Sequence, residues 1–97
     1  MTRYLYQKVK GNYMSLDMKV IDVHNAALEE LMGAMEDYPK FASAHEGYAV
    51  LLEEVDELWE LVKVKQSKHD YTKMKAEAIQ IAAMAMRFAI DVCNKGE

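Results

Sequence analysis

A chain of 97 residues can build one small domain but not two independent cores. Its 12 basic and 16 acidic side chains leave a net charge of −4 with no evident basic patch, which excludes a general attraction to nucleic acid polymers. Apolar residues make up 52%, with eight methionines, one proline and four glycines; this favours packed helices over a sheet, and it exceeds what a small three-helix monomer can hide, so an all-α bundle completed by homo-oligomerisation is expected.

Residues 1–14 read as an N-terminal extension, aromatic and basic, with a turn at Gly11-Asn12 and no assigned element; residues 15–97 read as the helical domain. Arg3 and Lys8 flank no continuous hydrophobic segment, so no signal peptide is expected. The spacing predicts a first helix from about Leu16 to Glu36, capped by Ser15. Val20, Val23, Ala27, Leu31 and Ala34 form its apolar stripe, widened by Ile21, Leu28 and Met35. Asp37-Tyr38-Pro39-Lys40 ends it, because proline lacks a backbone donor and restricts the residue before it.

The second helix begins at Ser43-Ala44-His45-Glu46, which has capping-box spacing with Glu46 returning a bond to the Ser43 backbone. It is expected to run to about Lys65 with a core stripe of Tyr48, Leu51, Leu52, Val55, Leu58, Trp59 and Val62. Glu54 and Glu57 fall beside that stripe, with Val50 and Leu61 continuing their face, a pattern suited to a cleft wall. After a pause through Gln66–Asp70, a third helix spans roughly Tyr71 to Asn94 and is apolar almost all round. Lys73, Glu77, Gln80, Arg87 and Asp91 nevertheless share one side, which must face solvent or a shared polar cleft because isolated buried charges are expensive. The same polar residues make the segment from Ala76 to Cys93 a bundle helix and not a membrane span.

Side chains three or four apart overlie one another on a helix, so Glu54 and Glu57 can converge from the second helix and Glu77 and Gln80 from the third. Such an oxygen-rich set suits Mg2+, with Mn2+ as a substitute. Glu54, Glu57 and Glu77 are the preferred ligands, and Gln80 offers a weaker carbonyl contact. Glu53 could orient or deprotonate a metal-bound water during attack on phosphorus. Lys73 and Arg87 could neutralise a phosphate chain. Without a cation the carboxylates would repel nucleotide phosphates.

The segment Glu53-Glu54-Val55-Asp56-Glu57, followed by Glu77-Ala78-Ile79-Gln80, resembles the paired acidic motifs of the MazG-like all-alpha nucleoside triphosphate pyrophosphohydrolases. The flanks His45–Leu52 and Ala82–Phe88 look like the short phage-type or bacterial members, and the resemblance covers about residues 43–92. It implies a helical dimer or tetramer that uses Mg2+ to hydrolyse nucleoside triphosphates to monophosphates and pyrophosphate. By that resemblance Glu54 and Glu57 take the first pair of metal-binding roles and Glu77 the first position of the second pair. The family's Glu-x-x-Asp ends here in Gln80. A noncatalytic nucleotide-binding or helical interaction protein is the alternative reading.

His24, His45 and His69 lack zinc-ligand spacing and are read as structural or surface residues. Trp59 is read as core or subunit-interface packing, and Lys63, Lys65 and Lys68 as a solvated helix end. Cys93 is the only cysteine, so no intrachain disulfide can form, and a reducing cytoplasmic setting is expected.

Overall fold

The computed structural model describes residues 17–94, so the expectations for the N-terminal extension and for Ser15 and Leu16 lie outside the described residues. The described residues form three α-helices: α1 (Met18–Asp37), α2 (Ala44–Val62) and α3 (Tyr71–Asp91). A single 3-10 turn, Gln66–Lys68, occupies the pause before α3, and there is no strand among the described residues.

Local chemistry sets each boundary. Asp17 caps α1, its carboxylate accepting from the Lys19 N–H at 2.7 Å. The last turn of α1 closes with the Tyr38 N–H on the Ala34 carbonyl at 3.0 Å, directly before Pro39. At the start of α2, Ser43 Oγ accepts from the Glu46 N–H at 3.1 Å. Glu46 returns its own bond to the Ala42 N–H at 2.6 Å, one residue earlier than the capping box requires. Helix α2 stops at Val62, short of Lys65, because His69 folds back and donates its Nε2–H to the Val62 carbonyl at 3.0 Å. The same ring packs edge-on against Tyr71, and Asp70 caps α3 by accepting from the Lys73 N–H at 3.1 Å.

Helix α3 packs against both α1 and α2, which share no comparable interface with each other. Leu31, Phe41, Ala83 and Met84 form the buried core, with Ala34, Val50, Leu51, Met86, Phe88 and Val92 packed around it. Gly47, Val50, Leu51, Leu58 and Leu61 make the inner face of α2, at the spacing of one helical stripe. The expected core stripe of α2 is therefore split: Leu51, Leu58 and Val62 are partly covered, whereas Tyr48, Leu52, Val55 and Trp59 are exposed. On α1, Ala27 and Leu31 are buried, but Val20, Val23, Leu28 and Met35 face outward. The reason is geometric: α3 covers only one arc of each neighbour. No large side chain is fully buried among the described residues, and no helix there is long and apolar enough to cross a membrane.

From Glu77 onward the polar stripe of α3 points inward, and its C-terminal part ties α3 to the end of α1 and to the connection into α2. Arg87 is 3% exposed; its Nε donates to Asp91 Oδ2 at 2.9 Å, and its terminal nitrogens donate to the carbonyls of Ala34, Tyr38 and Pro39 at 3.0, 2.7 and 2.7 Å. Asp91 Oδ2 also accepts from the Phe41 N–H at 3.1 Å, and the guanidinium lies over the Phe41 ring at 5.2 Å from its centre. These carbonyls lie at the C-terminus of α1, where unsatisfied acceptors and the helix dipole both favour a cation.

Truncating one member of such a buried pair strands the other, so Arg87→Ala should destabilise the fold by about 3–5 kcal/mol in urea unfolding. The two described glycines should respond oppositely. A Cβ at Gly47 would stand 2.7 Å from Phe88 Cδ2 and 2.9 Å from Phe41 Cδ2, whereas one at Gly33 meets nothing within 4 Å. Overpacking costs ~1–3 kcal/mol and outweighs the ~1 kcal/mol that alanine gains over glycine in a helix. Gly47→Ala should lower the unfolding midpoint and Gly33→Ala should raise it.

Candidate metal centre

Glu54 and Glu77 lie on the surfaces through which α2 and α3 pack, positions that a purely structural interface would fill with apolar side chains. Glu54 follows Gly47 and Leu51 along the inner stripe of α2, and Glu77 precedes Met84 and Arg87 along that of α3. Glu57, one turn after Glu54, reaches the same point from the exposed flank of α2. One carboxylate oxygen from each of Glu54, Glu57 and Glu77 falls within 4.8 Å of the others. Glu77 Oε2 is sealed from solvent and has no hydrogen-bond partner.

Three carboxylates this close cannot all ionise cheaply. Partial burial, then repulsion from Glu57 and Glu77, pushes the Glu54 carboxyl up to about 7. Burial, followed by the proximity of Glu57, raises Glu77 in the same direction. A divalent cation would relieve both effects, because it supplies the missing positive charge and a partner for the orphaned oxygen. The donor set, all carboxylate oxygen, is the chemistry a hard cation such as Mg2+ prefers.

The remaining expected site residues are placed differently. Glu53 is exposed beside the cluster, and Lys73 is exposed one turn before Glu77. Gln80 lies one turn beyond Glu77, but its Nε2 donates across to Glu30 Oε2 on α1 at 2.8 Å. Arg87 is committed to Asp91 and to the three carbonyls at the end of α1. Its guanidinium thus serves the helix junction, and the expectation that it binds phosphate is replaced by this structural role. Glu30 is the residue that sequence reasoning missed: in the chain it is one of two adjacent acids on a helix, with nothing to mark it as the partner of Gln80.

Between α1 and α2 opens a groove of about 660 Å³, floored by Gln80, Met84 and Arg87 of α3. Glu30 stands on its α1 wall and Glu54 on its α2 wall, so the acidic cluster sits at one side of a space large enough for a small organic ligand. Tyr38 and Phe41 lend it aromatic surface. No family model, curated protein or solved structure matches the chain.

The raised carboxyls have a sign that can be measured. A group that holds its proton more tightly when folded favours the native state at low pH, and that advantage is lost as pH rises from the ordinary value of 4.5 through about 7. In metal-free buffer the wild type should therefore lose more stability than Glu54→Gln between about pH 5 and about pH 8. Millimolar Mg2+ should restore the melting temperature of the wild type at the upper pH and change little at the lower. Identical pH profiles for the two proteins would rule out the raised Glu54 carboxyl.

Proposed function

We propose that the chain is a Mg2+-dependent nucleoside triphosphate pyrophosphohydrolase of the MazG-like kind, working as a homo-oligomer. The observation that carries this reading is the placement of Glu54 and Glu77 in the α2–α3 contact, joined by Glu57 within 4.8 Å. Carboxylates in a helix contact weaken it unless something binds them. Mg2+ held there would supply charge for a phosphate chain and make water a better nucleophile at neutral pH.

The chain's own residues divide the remaining work. Glu54, Glu57 and Glu77 hold the cation, and the groove beside Glu54 receives the nucleoside end of the substrate. Glu53, exposed on the flank of α2, accepts the proton of the attacking water and passes it to solvent. Water oxygen bonds to the alpha-phosphorus, the bond from that phosphorus to the bridging oxygen breaks, and pyrophosphate leaves with the electron pair. Lys73, exposed one turn from Glu77, is the cation available to the departing phosphates.

Self-association is supported by the apolar side chains left in water. Tyr48, Leu52, Val55 and Trp59 form a continuous outer stripe on α2 and are 61, 41, 41 and 57% exposed. That stripe also favours the second reading, a noncatalytic helical interaction or nucleotide-binding protein.

Pyrophosphate release from a panel of ribo- and deoxyribonucleoside triphosphates, with Mg2+ or Mn2+, separates the two. The wild type should turn over at least one substrate, and Glu54→Gln and Glu57→Gln should each lower the rate by about a hundredfold or more while remaining folded. Absence of release across the panel from folded wild type would favour the interaction protein.

A further inference from the structure

The bond between Gln80 and Glu30 stands where the acidic cluster meets the groove, and it joins residues 50 positions apart on α3 and α1. Its polarity is fixed by chemistry: a carboxylate only accepts, so the amide must turn its Nε2 toward Glu30. The carbonyl Oε1 is then directed away from Glu30. Gln80 follows Glu77 by one turn on the same face of α3 and lines the same groove as Glu54. Glu30 lines that groove too, and both residues also border a smaller space of about 380 Å³ beneath α1.

We infer that Glu30 is a positioning residue for the metal centre, orienting Gln80 so that its carbonyl serves as a neutral fourth oxygen beside Glu54, Glu57 and Glu77. This rests on the metal-site reading above. A carboxylate accepting from the amide N–H polarises the amide and makes its carbonyl oxygen a better donor to a cation. The arrangement adds a ligand without adding a fourth negative charge to a cluster whose carboxyls already repel one another. It also places a negative charge one hydrogen bond behind the site, where it attracts a cation with less direct repulsion. Because Glu30 lies on α1, the same contact makes cation affinity depend on how α1 is seated against α3.

Mn2+ alone is the probe, with free ion counted by electron paramagnetic resonance for the full chain at fixed pH. Glu30→Ala should weaken binding about 10–100-fold, whereas Glu29→Ala, which removes the neighbouring exposed charge, should not. The exchange Glu30→Gln with Gln80→Glu re-forms the hydrogen bond in the opposite direction and should restore wild-type affinity or better. Thermal unfolding of each variant establishes that the helices persist. Wild-type affinity in Glu30→Ala, together with lost binding in Glu54→Gln, would overturn the role of Glu30 and leave the metal centre standing. Equal weakening by Glu29→Ala, or an exchange variant as weak as Glu30→Ala, would also overturn it. No Mn2+ binding by the wild type would remove both the centre and its positioning residue.

Discussion

The buried Arg87–Asp91 pair holds the three helices in their relative places. Arg87 donates four hydrogen bonds, one to Asp91 and three to carbonyls of Ala34, Tyr38 and Pro39, so a single side chain of α3 fixes both the end of α1 and the first residues of the connection to α2. Asp91 binds the next part of that connection through the Phe41 N–H. Desolvating a guanidinium and a carboxylate is costly, and Asp91 Oδ1 lacks any partner. The cost is accepted because Pro39 prevents the helix from continuing and leaves carbonyls that need donors. Arg suits this better than Lys: its planar fork reaches several acceptors while its face lies over Phe41.

From this anchor α3 leads back to the acidic cluster. Near Arg87, Gly47 leaves room for the Phe41 and Phe88 rings, and Arg87 itself forms part of the groove floor. Farther along α3, the side chains facing inward are Gln80, which lines the same groove, and Glu77. One end of α3 therefore ties down the connection between α1 and α2, and the other carries the carboxylate group. The division explains why carboxyl repulsion is tolerated: the Glu54–Glu57–Glu77 group lies away from the junction that maintains the helix arrangement.

Much of this was legible from residue order where the cause is local. Ser43 capping α2, Pro39 closing α1 and the pause through Gln66–Asp70 depend on side chains within a few positions of the backbone they affect. Helical spacing allowed Glu54 and Glu57 to converge from α2 toward Glu77 of α3, and the three carboxylates do meet. What escaped is long-range. Periodicity placed Glu77, Gln80, Arg87 and Asp91 on one side of α3 but could not say that this side meets the end of α1, so Arg87 read as a phosphate ligand and Glu30 drew no reading at all. The same limit made the apolar residues of α2 look like one core stripe, although α3 covers only part of their arc.

The division of α2 into arcs bears on how assembly and chemistry coexist. At about 100° per residue, Tyr48, Leu52, Val55 and Trp59 lie on one flank of the inner face, and Glu57 lies on the opposite flank. A second copy covering the apolar flank would leave the approach to Glu57 open, so the proposed self-association need not block the cation site. It would do more than hide apolar surface. With α3 on one arc and a partner on the next, α2 loses the freedom to roll about its axis, and Glu54, on the inner arc, is held at a fixed distance from Glu77. A partner on the outer stripe, as proposed, would help a small core, lacking any fully buried large side chain among the described residues, to keep three like charges together.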